Sequence, residues 1–374
     1  MWLHYGIIFY VLSTGIIFGR TTQKRMKRNT YFILTFGMFT FLSALRSSHV
    51  GNDTSAYIRI FNDITMTGDI SRYSWRYEFG YLYLNKLLSI LSSNSQIIII
   101  VTSILIMLGF ARFIYKYSNN LWLSVYLFFT LGYFGMSMNT IRLNIAIVIL
   151  LFSYDFIKKK NLFKFIITVF IASMFHRTAI IFLIAWLIVK FKFTYKTISV
   201  AIVGSVGIYL LFPRILQTIL QFFPTYKYYL GSSYLDGNTR LASVMNFLVG
   251  LSILIFGGFT NYHNKNICTC SKLNSKNGAI VNDNKNMLLF LLVGVSITFI
   301  SLNFSLLDRV GEYFSVFSIV FLPNALKSIR DKNIRALLSF IIIVLFFVYS
   351  TTIQIMRPEW NVIYPYQFFW QIGS

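Results

Sequence analysis

The stretch RSSHVGNDTSAYIRIFNDITMTGDISRYSWRYEFGY, residues 46–81, interrupts an otherwise apolar chain with charge, glycine and tyrosine. It holds four of the eleven acidic residues and four of the arginines in the chain. Charge beside glycine and tyrosine marks both of its ends, in the clusters Arg46/Gly51/Asp53/Tyr57 and Arg76/Glu78/Gly80/Tyr81. A plain connector between membrane segments needs none of these features, so the stretch is a candidate functional region. A long solvated loop is the structural alternative for any single residue in it.

On both sides of this stretch the composition is that of a membrane protein. Of 374 residues, 56% are hydrophobic and only 12% are charged, and the mean hydropathy is +0.65. Apolar runs of about 20 residues, the length that crosses a bilayer as a helix, recur from end to end. We therefore predict an all-α, polytopic integral membrane protein. It forms a single transmembrane domain over residues 1–374, with about 12 transmembrane helices.

The placement of charge predicts the orientation of these helices. The net charge of +23 would suit nucleic acid, but most of the excess falls in short loops, where positive charge marks the cytoplasmic side. By this rule residues 46–94 form a large extracytoplasmic loop between spans 2 and 3, ending in an interfacial helix over the leucines at 84–91. The Asn-, Lys- and Ser-rich residues 261–286 are predicted to be a disordered cytoplasmic loop. No nucleic acid partner is expected.

Residues 161–189 are too short for two full crossings. Lysines flank both ends of this segment, which predicts a hairpin of two short helices with His176 and Arg177 at its tip. Fifteen residues rise only about 22 Å, against roughly 30 Å for the hydrocarbon core. The tip should therefore face protein or a water-filled cavity, because arginine exposed to lipid at that depth is costly.

Arginine and lysine are sorted between the two predicted sides. Ten of the sixteen arginines are outside, whereas Lys86 and Lys227 are the only outer lysines of eighteen. Topology does not require this difference, but the planar fork of arginine suits bidentate binding of phosphate. Four arginines share a place at or near the outer end of a span: Arg46, Arg142, Arg177 and Arg309. We predict that they line a cavity for a di-anionic headgroup, the alternative being that each snorkels to lipid phosphates.

Four short motifs resemble those of a known family. They are R-x4-G-x-D-x3-Y at 46–57, E-x-G-Y at 78–81, M-x-x-x-R-x-x-x-A at 138–146 and F-H-R-T-A at 175–179. In order and spacing they look like EpsG-type proteins, which belong among the Wzy-like bacterial polysaccharide polymerases. The resemblance covers mainly residues 46–190. The chain departs from the family pattern at Arg177, where a small residue such as serine is usual.

The resemblance implies an enzyme of polysaccharide synthesis (O-antigen, capsule or exopolysaccharide) in the bacterial plasma (inner) membrane, with its active site facing outside. Such a polymerase moves a growing glycan from undecaprenyl diphosphate to the non-reducing end of another lipid-linked repeat unit. Expected partners are these lipid-linked oligosaccharides, membrane lipid and a chain-length regulator protein, and no cofactor is expected. A flippase or exporter of the same unit, a glycan ligase and an acyltransferase stay open as alternatives.

Glycosyl transfer needs stabilisation of the departing diphosphate and removal of a proton from the acceptor hydroxyl. We assign the first task to the four outer arginines. For the base, Asp53 is the first candidate, followed by Glu78 and His176; an ion pair with Arg46 is the structural alternative for Asp53. Further substrate contacts are assigned to three residues: Tyr57, Arg76 and Tyr81. Trp75 and Tyr77 are candidates for stacking on sugar rings, or belong to an interfacial aromatic belt.

A metal site is not expected. The outer acids lack ligand-like spacing, and Cys268 and Cys270 with the distant His263 make a weak ligand set. Two idle cytoplasmic thiols explain this C-x-C better. The sequence therefore predicts a metal-independent enzyme.

Overall fold

The structure, a computed structural model, describes residues 1–19, 25–222, 241–268, 275–302, 304 and 307–371. Its α-helices are α1 (Trp2–Thr14), α2 (Arg25–Ala44), α3 (Thr54–Thr67), α4 (Phe79–Leu91), α5 (Gln96–Tyr117), α6 (Leu121–Thr130), α7 (Tyr133–Asn139), α8 (Ile141–Lys158), α9 (Leu162–Ser173), α10 (Ala185–Ile188), α11 (Tyr195–Phe222), α12 (Leu241–Cys268), α13 (Ser275–Ile300), α14 (Asp308–Ser315), α15 (Ser318–Lys327) and α16 (Lys332–Met356). A π-helical turn (Gly15–Gly19) and 3₁₀ segments at Ser71–Tyr73, Arg177–Ile184 and Phe369–Gln371 complete the helical elements. The predicted all-α class is confirmed.

The described part of the chain contains candidate membrane-spanning helices, and the predicted number of twelve is not confirmed. Within the described ranges, five helices are long and apolar enough to cross a membrane, or six if the bent pair α6 and α7 is one span. That pair bends by 51° at a break that contains Gly132, whose φ of +87° is available to glycine at little cost. Further apolar helical segments, Trp2–Phe18, Leu162–Ser173 and Arg177–Ile188, are shorter.

The chain divides into two compact units, residues 1–180 with 331–374, and residues 181–330. In the first unit α2 packs against α5, α5 against α8, and α8 against α9. The hydroxyls of Ser43 and Ser103 lie 2.8 Å apart between α2 and α5. Gly109 permits the close approach of α5 and α8, because a Cβ there would lie 2.4 Å from that of Val148. These contacts fix the frame on which the outer loop rests.

The predicted outer loop is largely helical. The first helix, α3, follows Asp53 and ends at Gly68, whose φ of +68° closes it. It buries the side chains at 57, 60, 61 and 64, the spacing of one helical face. The second helix, α4, includes the predicted helical residues 84–91 and begins five residues earlier. The charged clusters at the two ends of residues 46–81 therefore lie next to the starts of the helices α3 and α4.

The C-terminal segment, residues 357–371, returns to the start of this loop. Phe368 forms an isolated antiparallel bridge with Arg46. The amide of Ser47 donates to the carbonyl of Gln367 at 2.9 Å, and the amide of Phe369 donates to that of Leu45 at 3.0 Å. Backbone bonds of this kind satisfy polar groups that would otherwise be buried unpaired.

Residues 161–189 form short helical segments, as predicted, and their arrangement as a hairpin stays a prediction. α9 stops at Ser173, and the 3₁₀ segment Arg177–Ile184 starts four residues later, so His176 lies at the break. Both segments are short, as the length of the interval requires.

In the second unit α13 packs against α11, α12, α14 and α15. Gly294 allows α14 to approach, since a Cβ there would lie 2.6 Å from the Ser315 hydroxyl. Where the sequence predicts the disordered loop 261–286, the described residues are helical: α12 continues to Cys268 and α13 starts at Ser275. A helix already nucleated by an apolar span extends into polar residues at little cost. Residues 269–274 lie outside the described part.

Candidate functional site

A carboxylate and a guanidinium meet where α4 and α8 begin. Glu78 occupies the N-cap position of α4, and Arg142 is the second residue of α8. Arg142 Nη1 donates to Glu78 Oε2, with 18% and 9% of the two side chains exposed. The other oxygen, Oε1, accepts from the backbone N–H of Arg177 at 3.3 Å. One largely buried carboxylate thus ties together three segments that are far apart in the sequence.

Tyrosine rings surround this ion pair. The guanidinium of Arg142 lies over the ring of Tyr77, 4.5 Å from its centroid, which is a favourable cation–π geometry. The same guanidinium lies close enough to Tyr57 to act against the rise in the pKa of that phenol. The ring of Tyr81 meets that of Tyr57 edge-on at 5.4 Å. Burial raises the pKa of Tyr57 to about 12, so its hydroxyl stays neutral at physiological pH.

The turn that follows α9, residues 174–178, is fixed against the start of α4. The amide of Gly80 donates to the carbonyl of Met174 at 2.9 Å, and a Cβ at position 80 would lie only 2.7 Å from that oxygen. His176 is buried, and its Nδ1 lies 2.9 Å from the Thr178 hydroxyl. Arg177 has an exposed side chain whose Nη2 donates to the carbonyl of Ser74 at 3.3 Å. The E-x-G-Y and F-H-R-T-A motifs are therefore in direct contact.

Arg46 is buried, with 1% of its surface exposed, and its donors are directed at protein acceptors. These acceptors are the carbonyls of Ser43 and Met138 and the hydroxyls of Ser43, Thr54 and Ser103. Burial lowers the pKa of Arg46 to about 10, which leaves the group cationic at neutral pH. Arg46 is thus placed to join α2, α5 and the end of α7.

Asp53 stands at the N-cap position of α3 and is exposed. Its carboxylate makes no cap bond to the helix that follows. It lies close enough to Tyr57 to raise the pKa of that phenol, in opposition to Arg142. The bonds of Arg46 go to other groups, so the ion pair between Asp53 and Arg46, the structural alternative, is not formed among the described residues.

Two further predicted residues are the arginines Arg76 and Arg309. The exposed Arg76 places its guanidinium 5.8 Å from the centroid of Tyr77, on the segment that carries Glu78. Arg309 is half-buried in α14, in the second unit, after Asp308, which accepts from the Ser301 hydroxyl. The structure therefore brings together Tyr57, Glu78, Tyr81, Arg142 and the 176–177 turn, with Asp53 and Arg76 nearby in the same unit.

Two features of this region are missed by sequence reasoning. Tyr77 is expected only as an aromatic that stacks on sugar, whereas it lies against Arg142. Asn139 is a second missed residue: its Nδ2 donates to Asn361 Oδ1 at 2.7 Å, which links the end of α7 to the C-terminal segment. Its position beside Met138 in the third motif is the only sequence signal for it.

In the described part of the chain, no group of three or more His, Cys, Asp or Glu side chains is placed to hold a metal ion. The side chains of Cys268, Cys270 and His263 lie outside that part. Metal independence stays a prediction.

The sequence model of the EpsG family matches residues 29–368. This range is wider than the 46–190 covered by the four motifs, and it includes the C-terminal segment up to Phe368, the partner of Arg46 in the β-bridge. Comparison with curated proteins and with solved structures finds no significant match.

Proposed function

Because the chain belongs to the EpsG family of Wzy-like polysaccharide polymerases, we propose that it joins lipid-linked repeat units into a polysaccharide. The growing glycan moves from undecaprenyl diphosphate to the non-reducing end of another lipid-linked unit. The reaction takes place at the outer face of the bacterial plasma membrane and uses no cofactor or metal. A chain-length regulator protein is a further partner in this proposal.

The proposed topology has twelve membrane segments with the 46–94 region outside. α8 supports this orientation, because its two ends differ in chemistry. Arg142 starts the helix, and Asp155, about 20 Å further along its axis, pairs with Arg112 and with Lys116 at 2.6 Å. The positive-inside rule places the lysine-rich end of α8 in the cytoplasm, and Arg142 then faces outside.

The observation that carries the proposal is the Glu78–Arg142 pair. It joins three of the four family motifs through one buried contact, and Tyr57 adds the fourth. A guanidinium held in a partly dry site interacts strongly with a departing diphosphate, because water screens it little. Arg142 is therefore the main diphosphate ligand, and the exposed side chain of Arg177 assists it.

In the proposed reaction, the acceptor hydroxyl oxygen bonds to the anomeric carbon as the bond from that carbon to the diphosphate oxygen breaks. The hydroxyl proton passes to a base, and undecaprenyl diphosphate leaves. Asp53 is our choice of base, since its carboxylate is exposed beside Tyr57. Tyr57, Tyr81 and Arg76 are proposed to border the sugars.

Arg46 takes a different place in this proposal from the other arginines. Its guanidinium serves protein acceptors on three elements. We assign it the task of holding the loop that carries Asp53, while the diphosphate is left to Arg142 and Arg177. A role for Arg309 rests on the sequence pattern alone.

Replacement of Arg142 by lysine tests the proposal in cells. Lysine keeps the charge but loses the planar fork, and removal of one such donor costs about 100-fold in rate. We expect short or absent glycan chains and accumulation of lipid-linked single repeat units, with the protein still present in the membrane. Arg59→Lys is the matched control, because Arg59 is an exposed arginine of α3 away from the ion pair. Normal chain lengths from Arg142→Lys would remove Arg142 from the mechanism.

A flippase makes a different prediction in the same experiment. If the chain exported the repeat unit, single units would accumulate on the cytoplasmic side, out of reach of a membrane-impermeant glycosidase. For a polymerase, they accumulate outside and are cleaved.

A further inference from the structure

The carboxylate of Glu78 has the surroundings of a bound anion. One oxygen accepts from the Arg142 guanidinium and the other from the Arg177 amide, and the group is largely buried. Phosphate oxygens are bound in proteins by these same donors, arginine and backbone N–H. Glu78 also stands at an N-cap position without capping its own helix, because its side chain is turned toward Arg142.

The contact between Glu78 and Arg142 leaves hydrogen-bond donors of the guanidinium unused. Arg142 reaches Glu78 through Nη1 alone, and its Nε is buried without an acceptor. A carboxylate has two oxygens and both are engaged, whereas a diphosphate offers more oxygens and more negative charge. The exposed side chain of Arg177, the residue that also supplies the donating amide, adds a further cation at the edge of the site.

We propose that the Glu78 carboxylate occupies the subsite of a substrate phosphate, and that the diphosphate of the lipid carrier displaces it from Arg142. This inference rests on the proposed function and gives its diphosphate a defined position. Glu78 is then an internal competitor, which keeps Arg142 paired until a ligand of higher charge arrives. Each binding event must first break the internal pair, so the apparent affinity for diphosphate is lower than that of the open site.

The proposal predicts that a loss of charge at Glu78 tightens binding. Glu78→Gln keeps the shape of the side chain and removes the competing anion. We expect it to bind inorganic pyrophosphate and farnesyl diphosphate about tenfold more tightly than the wild type, by titration calorimetry of the purified protein in detergent. Asp69→Asn is the control, since it removes one charge from an exposed site in the same loop and should leave the affinity unchanged.

Glu78→Asp covers the case in which the glutamine variant does not fold. It keeps the charge but shortens the side chain by one methylene, which weakens the internal contact. We expect a smaller gain in affinity, in the same direction. A gain with farnesyl diphosphate alone would support the subsite and show that it also requires the isoprenoid.

The outcomes separate this inference from the proposed function. If wild type and Glu78→Gln bind diphosphate with equal affinity, and Arg142→Gln abolishes binding in both backgrounds, the displacement is overturned. The diphosphate site at Arg142 is then still supported. Weaker binding by Glu78→Gln would overturn it too and make Glu78 a partner that positions Arg142. Tighter binding by a protein that forms no polymer would support the subsite and contradict the polymerase. No diphosphate binding by any variant would overturn both.

Discussion

Arg46 and Arg142 are both arginines at the outer ends of predicted spans, yet their surroundings predict different consequences of a change to lysine. We expect mainly a loss of stability at Arg46 and mainly a loss of activity at Arg142. The guanidinium of Arg46 serves acceptors on several elements and is almost fully buried. Arg142 is partly exposed and serves an acidic side chain that a ligand can replace. The first arginine therefore belongs to the fold and the second to the site.

We predict that Arg46→Lys lowers stability more than Arg142→Lys does. An ammonium group cannot reach all the acceptors of Arg46, and each buried acceptor left unpaired costs about 1–3 kcal/mol. The expected loss is on the order of 3 kcal/mol, seen as a lower melting temperature in detergent and less protein in the membrane. Equal melting temperatures for wild type and Arg46→Lys would contradict the structural role.

Asp53→Asn should abolish polymerisation while the protein still folds. Asparagine keeps the shape of the side chain but cannot take a proton from the acceptor hydroxyl. A positioned general base typically contributes about 10²- to 10⁴-fold, so a rate loss in that range is expected, with binding of farnesyl diphosphate retained.

Asp69→Asn provides the control for this variant, because it makes the same change at an exposed position of the same loop. An unchanged rate in Asp53→Asn would exclude Asp53 as the base and leave Glu78 and His176 as the candidates.

At the level of residues, sequence predicts which side chains matter better than it predicts their contacts. The pattern of outer arginines includes both Arg46 and Arg142, because each is an arginine at the outer end of a predicted span. What separates them is burial and the identity of the nearest acceptors. Met138 and Ser103, which receive bonds from Arg46, carry no sequence signal for that task.

Among the helical elements, α4 and the 174–178 turn must stay in close contact for the site to exist. The amide of Gly80 bonds to Met174, and there is no room for a side chain between them. Gly80→Ala should push the two elements apart and lengthen the bond from Arg177 to Glu78. We predict at least a tenfold loss of polymerisation, because small misplacement of binding groups is costly in catalysis.

Gly37→Ala is the matched control for this change. Gly37 lies inside α2 with open space around its Cβ position, and alanine favours the helix there. The control should therefore be as active as the wild type. A fully active Gly80→Ala would show that this contact does not position the site.

The helices of the outer region show what periodicity can and cannot provide. The helix α3 is not among our predictions, although Tyr57, Ile60, Phe61 and Ile64 have the spacing of one helical face. We predict only the leucine-rich part of α4 from sequence, because polar residues dominate the interval before it. The return of the C-terminal segment to Arg46 is not predicted at all, since isolated backbone bonds between distant segments leave no periodic pattern.

For the whole molecule, the sorting of charge predicts orientation. A reporter placed in residues 265–285 should be cytoplasmic, and one in residues 55–75 should be external. Alkaline phosphatase fusions, with a cytoplasmic reporter such as β-galactosidase as the complement, measure this directly. An external signal from 265–285 would overturn the charge argument and, with it, the outward-facing site.

The predicted helical class is confirmed, and the long apolar helices are consistent with the membrane class that composition predicts. Neither property fixes the number of crossings. The bent pair α6 and α7 and the short helix α9 are apolar, but their length does not decide whether they cross the membrane or enter it only partly. Their depth depends on packing and on the lipid, which hydropathy does not measure.

The central claim is that this chain forms glycosidic bonds between lipid-linked repeat units. The most direct test combines the purified protein with such units in a membrane mimetic containing a chelator, and resolves the products by length. We predict a ladder of glycans with release of undecaprenyl diphosphate, present in wild type and strongly reduced in Arg142→Lys. A ladder that requires added divalent cation would contradict the metal-free mechanism, and unchanged single units with the wild-type protein would contradict the claim itself.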